Sequence, residues 1–294
     1  MNLKNTALFL YIFCIFIFSP CPSYAARVGI YGCVHGDRAM NQRVAESMQS
    51  QNVTDVIANG DFSQGNPFDV DHVLNKMSMI TGVSKEHFYI MPGNWDEETV
   101  GRVRAFSIFD KYGSRIANDY SEKGTIEISG KKIQVAHFPQ HPIPKKLLPL
   151  SHFLFRHFPG QAHIIQTMAK KAPIPEDVDL NVFGHTHIRG HFFDTNGKLT
   201  INAGGLTDRK LPDELRSFAI YDTEKNEVEF YNVETAPATL MEVVSVHIPR
   251  ESHDERVEIR DFAICGLPES DVARFVKTFH EIEGVLLDLA PDRH

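Results

Sequence analysis

The sequence has few of the features that mark disulfide-bonded, membrane-spanning or nucleic-acid-binding proteins. Its 294 residues include 4 cysteines, of which Cys14 and Cys21 fall near the amino terminus. The apolar run at residues 7–18 is shorter than the roughly 20 residues that a helix needs to cross a bilayer. The formal net charge is -8, so the basic excess of non-specific nucleic-acid-binding proteins is missing and we expect no nucleic-acid binding. With 42% hydrophobic and 23% charged residues, the composition is ordinary for a globular chain.

The amino-terminal segment, residues 1–25, has the pattern of a cleaved export signal. Lys4 supplies a positive charge, residues 7–18 form the apolar part, and residues 23–25 offer the small side chains that a signal peptidase recognises. We therefore expect the protein to be exported, to the periplasm or to the medium. An uncleaved anchor, or a lipoprotein attached through Cys21, are the alternatives.

Polar side chains of metal-ligand type follow five predicted strands, at the point where each strand ends. The strands are apolar runs at residues 28–31, 53–58, 88–91, 133–136 and 180–183. Because ligands collect at the carboxyl ends of strands in an open sheet, we expect the residues beyond these runs to converge on one spot. They are Cys33, His35, Asp61, Asn94, Asp96, His137, His185 and His187.

Such a set of residues suits a site for two divalent metal ions. Two ions about 3.5–4 Å apart can hold a bridging hydroxide, clamp a phosphate and stabilise both oxygens of an in-line displacement. Asp61 is the expected bridge, because its following loop, residues 62–65, brings no competing acid. Imidazoles suit Zn, Fe or Mn, and the Asn94 amide oxygen adds a neutral hard ligand. We expect His185 and His187 to share one face of an extended strand, since the side-chain period of a strand is two.

In their order and spacing these motifs resemble the calcineurin-like metallophosphoesterase superfamily, most closely its small bacterial phosphodiesterase branch. The family series is Asp-x-His, Gly-Asp, Gly-Asn-His-Asp, His and Gly-His-x-His, and residues 28–233 carry counterparts of each motif. The resemblance implies an α/β fold: a two-sheet β-sandwich flanked by helices, in four layers α-β-β-α. It also implies two divalent metal ions (Zn, Fe or Mn).

The same resemblance distributes the site residues between two metals. It implies that the first metal is held by His35, Asp61 and His187. It implies that the second is held by Asp61, Asn94, His137 and His185. It further implies that the catalytic residues are Asp61, Asn94, His137 and Asp96.

Cys33 departs from the family pattern, because it stands where the family has an aspartate ligand of the first metal. A thiolate is softer than a carboxylate, so Cys33 as a ligand would favour Zn or Fe over Mn or Mg. Alternatively, Cys33 is a small packed residue, and the first metal keeps three protein ligands or is lost, leaving a mononuclear site. A disulfide with Cys265 would exclude the ligand role.

Trp95 is the second departure, because it replaces the histidine that, together with Asp96, is expected to protonate the leaving group or steady the transition state. An indole cannot act as that acid, and removing a general acid costs about 10²–10⁴-fold in rate. We therefore expect phosphodiesters, pyrophosphates and activated esters to be affected less than phosphomonoesters with poor leaving groups.

The expected function is that of an exported, dinuclear-metal-dependent phosphoesterase acting on phosphodiester, pyrophosphate or phosphomonoester bonds through a metal-bridging hydroxide. One alternative is a catalytically weak or inactive metal-binding and interaction protein that keeps the fold, as the retromer subunit of this superfamily does. A metal-dependent amidase is another, which the motif order disfavours.

The chain divides into three expected segments. Residues 1–25 are the signal, and residues 26–238 are the metallophosphoesterase domain with an insert at about 139–177. Residues 239–294 are a small β-β-α-β extension that caps the site, dimerises or extends a sheet edge. The insert carries an apolar, lysine-flanked run at 147–158, which favours a lid, a peripheral membrane contact or a packed helix. A lid would fit a phosphate-ester substrate with an apolar or lipid moiety; the sequence indicates no oligomeric state.

Overall fold

The computed structural model describes residues 25–138 and 175–246, apart from 186, 188, 194–196, 207–215 and 236. The predicted signal, most of the predicted insert with its apolar run, and residues 247–294 lie outside the described residues. Within the described part, two β-sheets pack face to face and helices cover the larger sheet.

The larger sheet has seven strands in the order β12-β11-β10-β1-β2-β3-β4. Its parallel half consists of β1 (Arg27–Tyr31), β2 (Asp55–Asn59), β3 (Phe88–Met91) and β4 (Ser114–Arg115). Its antiparallel half consists of β10 (Ser217–Asp222), β11 (Glu227–Asn232) and β12 (Thr239–Ser245). Strand β12 comes from the start of the predicted carboxyl-terminal extension, which here forms the edge of the main sheet.

The smaller sheet has five strands in the order β5-β6-β7-β9-β8. The strands are β5 (Lys123–Ile128), β6 (Lys131–Ala136), β7 (Leu180–Phe183), β8 (Gly190–Phe193) and β9 (Leu199–Asn202). Strands β6, β7 and β9 run parallel, whereas β5 and β8 pair antiparallel at the two edges.

Three α-helices connect or follow the parallel strands of the larger sheet: α1 (Arg38–Ser50), α2 (Pro67–Thr81) and α3 (Arg102–Tyr112). Asp37 caps α1 by accepting a hydrogen bond from the Met40 N–H, and Asn66 caps α2 through the Phe68 N–H. Before α3 begins, the chain forms a π-helical turn over Asp96–Gly101.

The two faces of the larger sheet bury two separate apolar cores. Along β2, Val56 and Ala58 pack with residues of the three helices, while Ile57 packs with the smaller sheet, because successive side chains point to opposite faces. This arrangement confirms the predicted α/β sandwich of two sheets flanked by helices. The second helical layer of the predicted four has no counterpart in the part of the chain that the structure describes, where all three α-helices pack on the larger sheet. None of the described helices is long and apolar enough to span a bilayer.

Candidate metal centre

Two groups of ligand-type side chains meet at the carboxyl ends of strands from both sheets. One group contains Cys33, His35, Asp61 and His187, and the other contains Asp61, His137 and His185. Within each group, one ligand atom from every residue lies within 4.8 Å of the others. The Asp61 carboxylate belongs to both groups, which is the arrangement that two ions held side by side require.

Asn94 stands with the second group. Its Oδ1 atom lies 3.2 Å from His137 Nε2 and 3.1 Å from His185 Nδ1. His137 Nε2 in turn lies 3.2 Å from Asp61 Oδ2. His137 Nδ1 is 3.2 Å from the Asn59 carbonyl oxygen, which accepts its N–H and leaves the Nε2 lone pair directed at the group.

The first group is equally close. His35 Nε2 lies 3.0 Å from His187 Nε2 and 4.0 Å from Asp61 Oδ2, and Cys33 is fully buried beside them. Atoms bonded to one tetrahedral ion at about 2.0–2.3 Å lie about 3–4 Å from one another, which is the range of these separations. The donor sets, imidazoles with a carboxylate and either a thiol or an amide oxygen, therefore fit two divalent ions.

Five of the seven candidate ligands have a strained backbone conformation. Of eight non-glycine residues with positive φ among those described, five are candidate ligands: Cys33 (51°), His35 (47°), Asp61 (56°), His185 (63°) and His187 (60°). Such conformations cost of order 1–3 kcal/mol each and persist where the surroundings demand them. The expectation that His185 and His187 project from an extended strand is wrong, because β7 ends at Phe183. The two side chains enter different groups instead.

Close packing of the loops imposes this geometry. The N–H groups of Cys33 and His35 donate to the carbonyl oxygens of Gly60 and Asp61, at 2.9 Å in both cases, so the loops after β1 and β2 run side by side. A Cβ on Gly93 would lie 2.1 Å from the Asp61 nitrogen, so only glycine lets the loop after β3 approach this closely.

Asp96 lies beneath these loops and is fully buried. Its Oδ2 accepts the N–H groups of Asp61 at 2.8 Å and Gly93 at 3.2 Å, and its Oδ1 accepts that of Phe62 at 3.0 Å. In return, Asp61 Oδ1 accepts the Trp95 N–H at 3.0 Å. Sequence reasoning placed Asp96 among the catalytic residues; the structure engages both of its oxygens in holding the loop that carries Asp61.

The electrostatics of the centre decide which groups carry protons when no metal is bound. Burial opposes the charge on Asp61, but the imidazoles of His137 and His35 lower its pKa to about 2. Burial pushes the pKa of His137 down, and attraction to Asp61 more than offsets it, so this pKa is raised. Burial and repulsion from His137 lower the pKa of His185 to about 4. Burial, followed by repulsion from Asp61, raises the pKa of Asp96 well above its ordinary value.

We expect metal binding to release a proton from His137. Because the ion and the proton compete for Nε2, the affinity of the second group for Zn²⁺ should weaken about tenfold per pH unit below the raised pKa of His137, starting above about pH 6.5. His185, with its pKa of about 4, should add no dependence in that range. Competition with a chromogenic chelator between about pH 5.5 and 8.5 measures this slope. A constant affinity across the range would contradict the assignment of His137.

Aromatic rings flank both groups. The Trp95 ring meets the His35 ring edge-on, with the ring centroids 6.1 Å apart, and Trp95 is 41% exposed. The Phe138 ring lies 4.2 Å from that of His185 and 5.4 Å from that of His137. Sequence reasoning did not single out Phe138; its position directly after His137 is the only signal for it.

Comparisons with known proteins give one family match and a set of similar solved structures. The family model of the calcineurin-like phosphoesterase superfamily domain matches residues 27–226, whereas no curated protein matches the sequence. An archaeal phosphodiesterase structure is 20% identical with a TM-score of 0.45, over 73% of this chain and 99% of its own. The Escherichia coli phosphoesterase Yfce is 12% identical with a TM-score of 0.48, over 75% and 100%. Vps29 of Chaetomium thermophilum is 14% identical with a TM-score of 0.43, over 78% and 100%.

Proposed function

Because the chain belongs to the calcineurin-like phosphoesterase superfamily, we propose that it is a dinuclear-metal-dependent hydrolase of phosphate esters. The observation that carries the proposal is the Asp61 carboxylate, which two separate ligand groups share. When bound, two divalent ions at this centre would polarise the phosphate and activate water. Zn, Fe and Mn are the candidates that these donors suit.

Residues of the chain would hold the two ions and keep the ligands in position. Cys33, His35 and His187 would hold one ion, and Asn94, His137 and His185 the other, with Asp61 common to both. The Asn59 carbonyl fixes the His137 tautomer, and Asp96 fixes the Asp61 loop.

We propose that phosphodiesters and pyrophosphates are preferred over alkyl phosphomonoesters. Trp95 has no acidic proton to give to a leaving group, and Asp96 is buried with both oxygens engaged by backbone N–H groups. Esters whose leaving group departs without a proton escape the roughly 10²–10⁴-fold loss that follows from lacking a general acid.

A substrate panel tests the proposed function. We expect the metal-loaded chain to hydrolyse bis(p-nitrophenyl) phosphate and an activated pyrophosphate, and to act on an alkyl phosphomonoester at least about 100-fold more slowly. Chelation should abolish the activity, and Zn²⁺ or Mn²⁺ should restore it. Metal-loaded protein without activity on any ester would instead favour the alternative of a metal-binding interaction protein, which Cys33 and Trp95 motivate.

We propose export from the pattern of residues 1–25. Amino-terminal sequencing of the protein recovered outside the cytoplasm should give a mature chain that starts at Ala26. An unprocessed chain that starts at Met1 in all fractions would refute cleavage. The expectation of an apolar or lipid-linked substrate depends on residues 147–158, which lie outside the described residues, and it stays a prediction.

Cys33 gives a prediction about metal preference. If its thiolate is a ligand, Cys33→Asp should shift the preference from Zn²⁺ or Fe²⁺ toward Mn²⁺ and keep or raise the activity, because a carboxylate is the harder ligand. Cys33→Ser should weaken the first ion. Metal analysis and activity with each ion measure both effects. Unchanged metal content and rate in Cys33→Ala would show that the residue is only packed.

A further inference from the structure

We infer that Trp95 is a stacking surface for a planar aromatic group on the substituent that stays on the phosphate, so that the preferred ester carries a nucleobase or an aryl group on that side. This inference rests on the proposed function and names its substrate class.

Trp95 is tied directly to both ligand groups. Its backbone N–H donates to Oδ1 of Asp61, the carboxylate that the two groups share, at 3.0 Å. Its ring stands at 88° to the ring of His35, a member of the first group. Asn94, which contacts the second group, precedes it in the chain. An ester whose phosphate lay at the two groups would therefore have a substituent within reach of the indole.

The indole is exposed in a way that packing does not explain. Six large hydrophobic side chains of the described residues are exposed: Phe68, Met79, Trp95, Val103, Leu240 and Val243. Among these six, Trp95 is the one whose ring contacts a candidate metal ligand. A partly exposed aromatic surface beside a polar centre is the usual form of a ligand pocket wall.

The backbone that carries the ring is also held in advance of binding. The Trp95 N–H donates to Asp61, and the Trp95 carbonyl oxygen accepts the hydroxyl of Thr99, so both backbone polar groups are fixed. A surface fixed before binding loses little entropy when a ligand docks on it.

The flat indole favours a planar partner. Aromatic side chains stack on any nucleobase, because every base has a π-face. On the other flank, the Phe138 ring already packs against His185 at 4.2 Å, so it serves first to orient that ligand. Trp95 is therefore the ring that we assign to the substrate.

The only tryptophan of the chain makes binding directly visible, since its fluorescence reports on Trp95 alone. We expect adenosine 5′-monophosphate to quench the emission of the metal-loaded chain and to bind about 5–100-fold more tightly than ribose 5-phosphate, which has the same phosphate and no base. Equal affinity of the two probes, with no quenching by the nucleotide, would overturn the inference.

A matched pair of substrates gives a second, kinetic readout. Thymidine 5′-(p-nitrophenyl phosphate) and methyl p-nitrophenyl phosphate share a leaving group and differ in the retained substituent. We expect kcat/KM to favour the thymidine ester by at least about fivefold. Trp95→Ala should reduce this ratio toward one, and Trp95→Phe should retain most of it. Leu240→Ala is the matched control, because it removes an exposed apolar side chain on the far edge strand of the larger sheet.

The outcomes separate this inference from the proposed function. Hydrolysis of both esters with a ratio near one, or an unchanged ratio in Trp95→Ala, would overturn the inference and leave the function intact. Absence of any hydrolysis would refute the proposed phosphoesterase function. The fluorescence titration would still decide whether Trp95 recognises an aromatic group. Tighter binding of an acyl glycerol phosphate than of the nucleotide, with that advantage lost in Trp95→Ala, would show that an acyl chain occupies this surface, and would also overturn the inference.

Discussion

Replacing Asp61 with asparagine should lower metal-dependent hydrolysis of a chromogenic phosphodiester by more than about 100-fold. Removing a partner that only orients a metal ligand already costs about 10–100-fold in affinity or activity, and Asp61 stands in both ligand groups directly. Asparagine keeps the volume but supplies one weaker oxygen and no charge. His185→Ala should reduce activity by a similar order, because it removes one imidazole from the second group. Steady-state rates at saturating metal measure both losses.

Two control variants match these changes in residue type. Asp55 is buried at the opposite end of the same strand, where it pairs with His87, so Asp55→Asn should cost stability and leave the rate per folded molecule unchanged. His72 lies on α2 outside both groups, and His72→Ala should behave like the native chain. Native activity in Asp61→Asn, or equal losses in Asp61→Asn and Asp55→Asn, would contradict the assignment of the centre.

Asp96→Ala should destabilise the protein and weaken metal binding together. The change removes the acceptors of three buried N–H groups, and each unsatisfied group costs about 1–3 kcal/mol, so the free energy of unfolding should fall by at least about 3 kcal/mol. Asp96→Asn should have a smaller effect. The remaining side-chain oxygen of asparagine still accepts backbone N–H groups, whereas its amide NH₂ would face an N–H that is also a donor. Denaturant unfolding and Zn²⁺ titration of the same samples measure both properties.

Glu97 provides the control for Asp96. It is a buried acid in the same π-helical turn, but its carboxylate accepts from Tyr120 and Arg102 and makes no hydrogen bond to the Asp61 loop. We therefore expect Glu97→Gln to lower stability and to leave Zn²⁺ affinity unchanged. If Asp96→Asn kept native stability and metal affinity but lost activity, Asp96 would be a catalytic residue, as the family resemblance implies.

Most of the fold follows from local sequence patterns. Strands β3 and β7 have the predicted bounds, because apolar runs with clear ends encode them. The two-residue strand β4 has no such signal and forms only by pairing with β3. The π-helical turn over Asp96–Gly101 was also missed, since it places the Asp96 carboxylate against N–H groups that come from another loop.

The candidate site was predictable in composition but not in conformation. The family resemblance implied the grouping of His35 with His187, and of His137 with His185, around Asp61 that the structure shows. The positive φ values of Cys33, His35, Asp61, His185 and His187 were not foreseeable, because they depend on contacts such as that between Gly93 and Asp61, which are distant in sequence. The hydrogen bonds from the Asp61 and Phe62 N–H groups to Asp96 were missed for the same reason.

The metal content of the purified chain tests most directly whether one carboxylate holds two ions. The protein is reconstituted with excess Zn²⁺, freed of unbound metal by gel filtration, and analysed for metal and protein in the same fractions. We predict two ions per native chain and no more than one in Asp61→Asn, with Asp55→Asn retaining two. One ion or none in the native chain, or two retained in Asp61→Asn, would contradict a dinuclear centre bridged by Asp61.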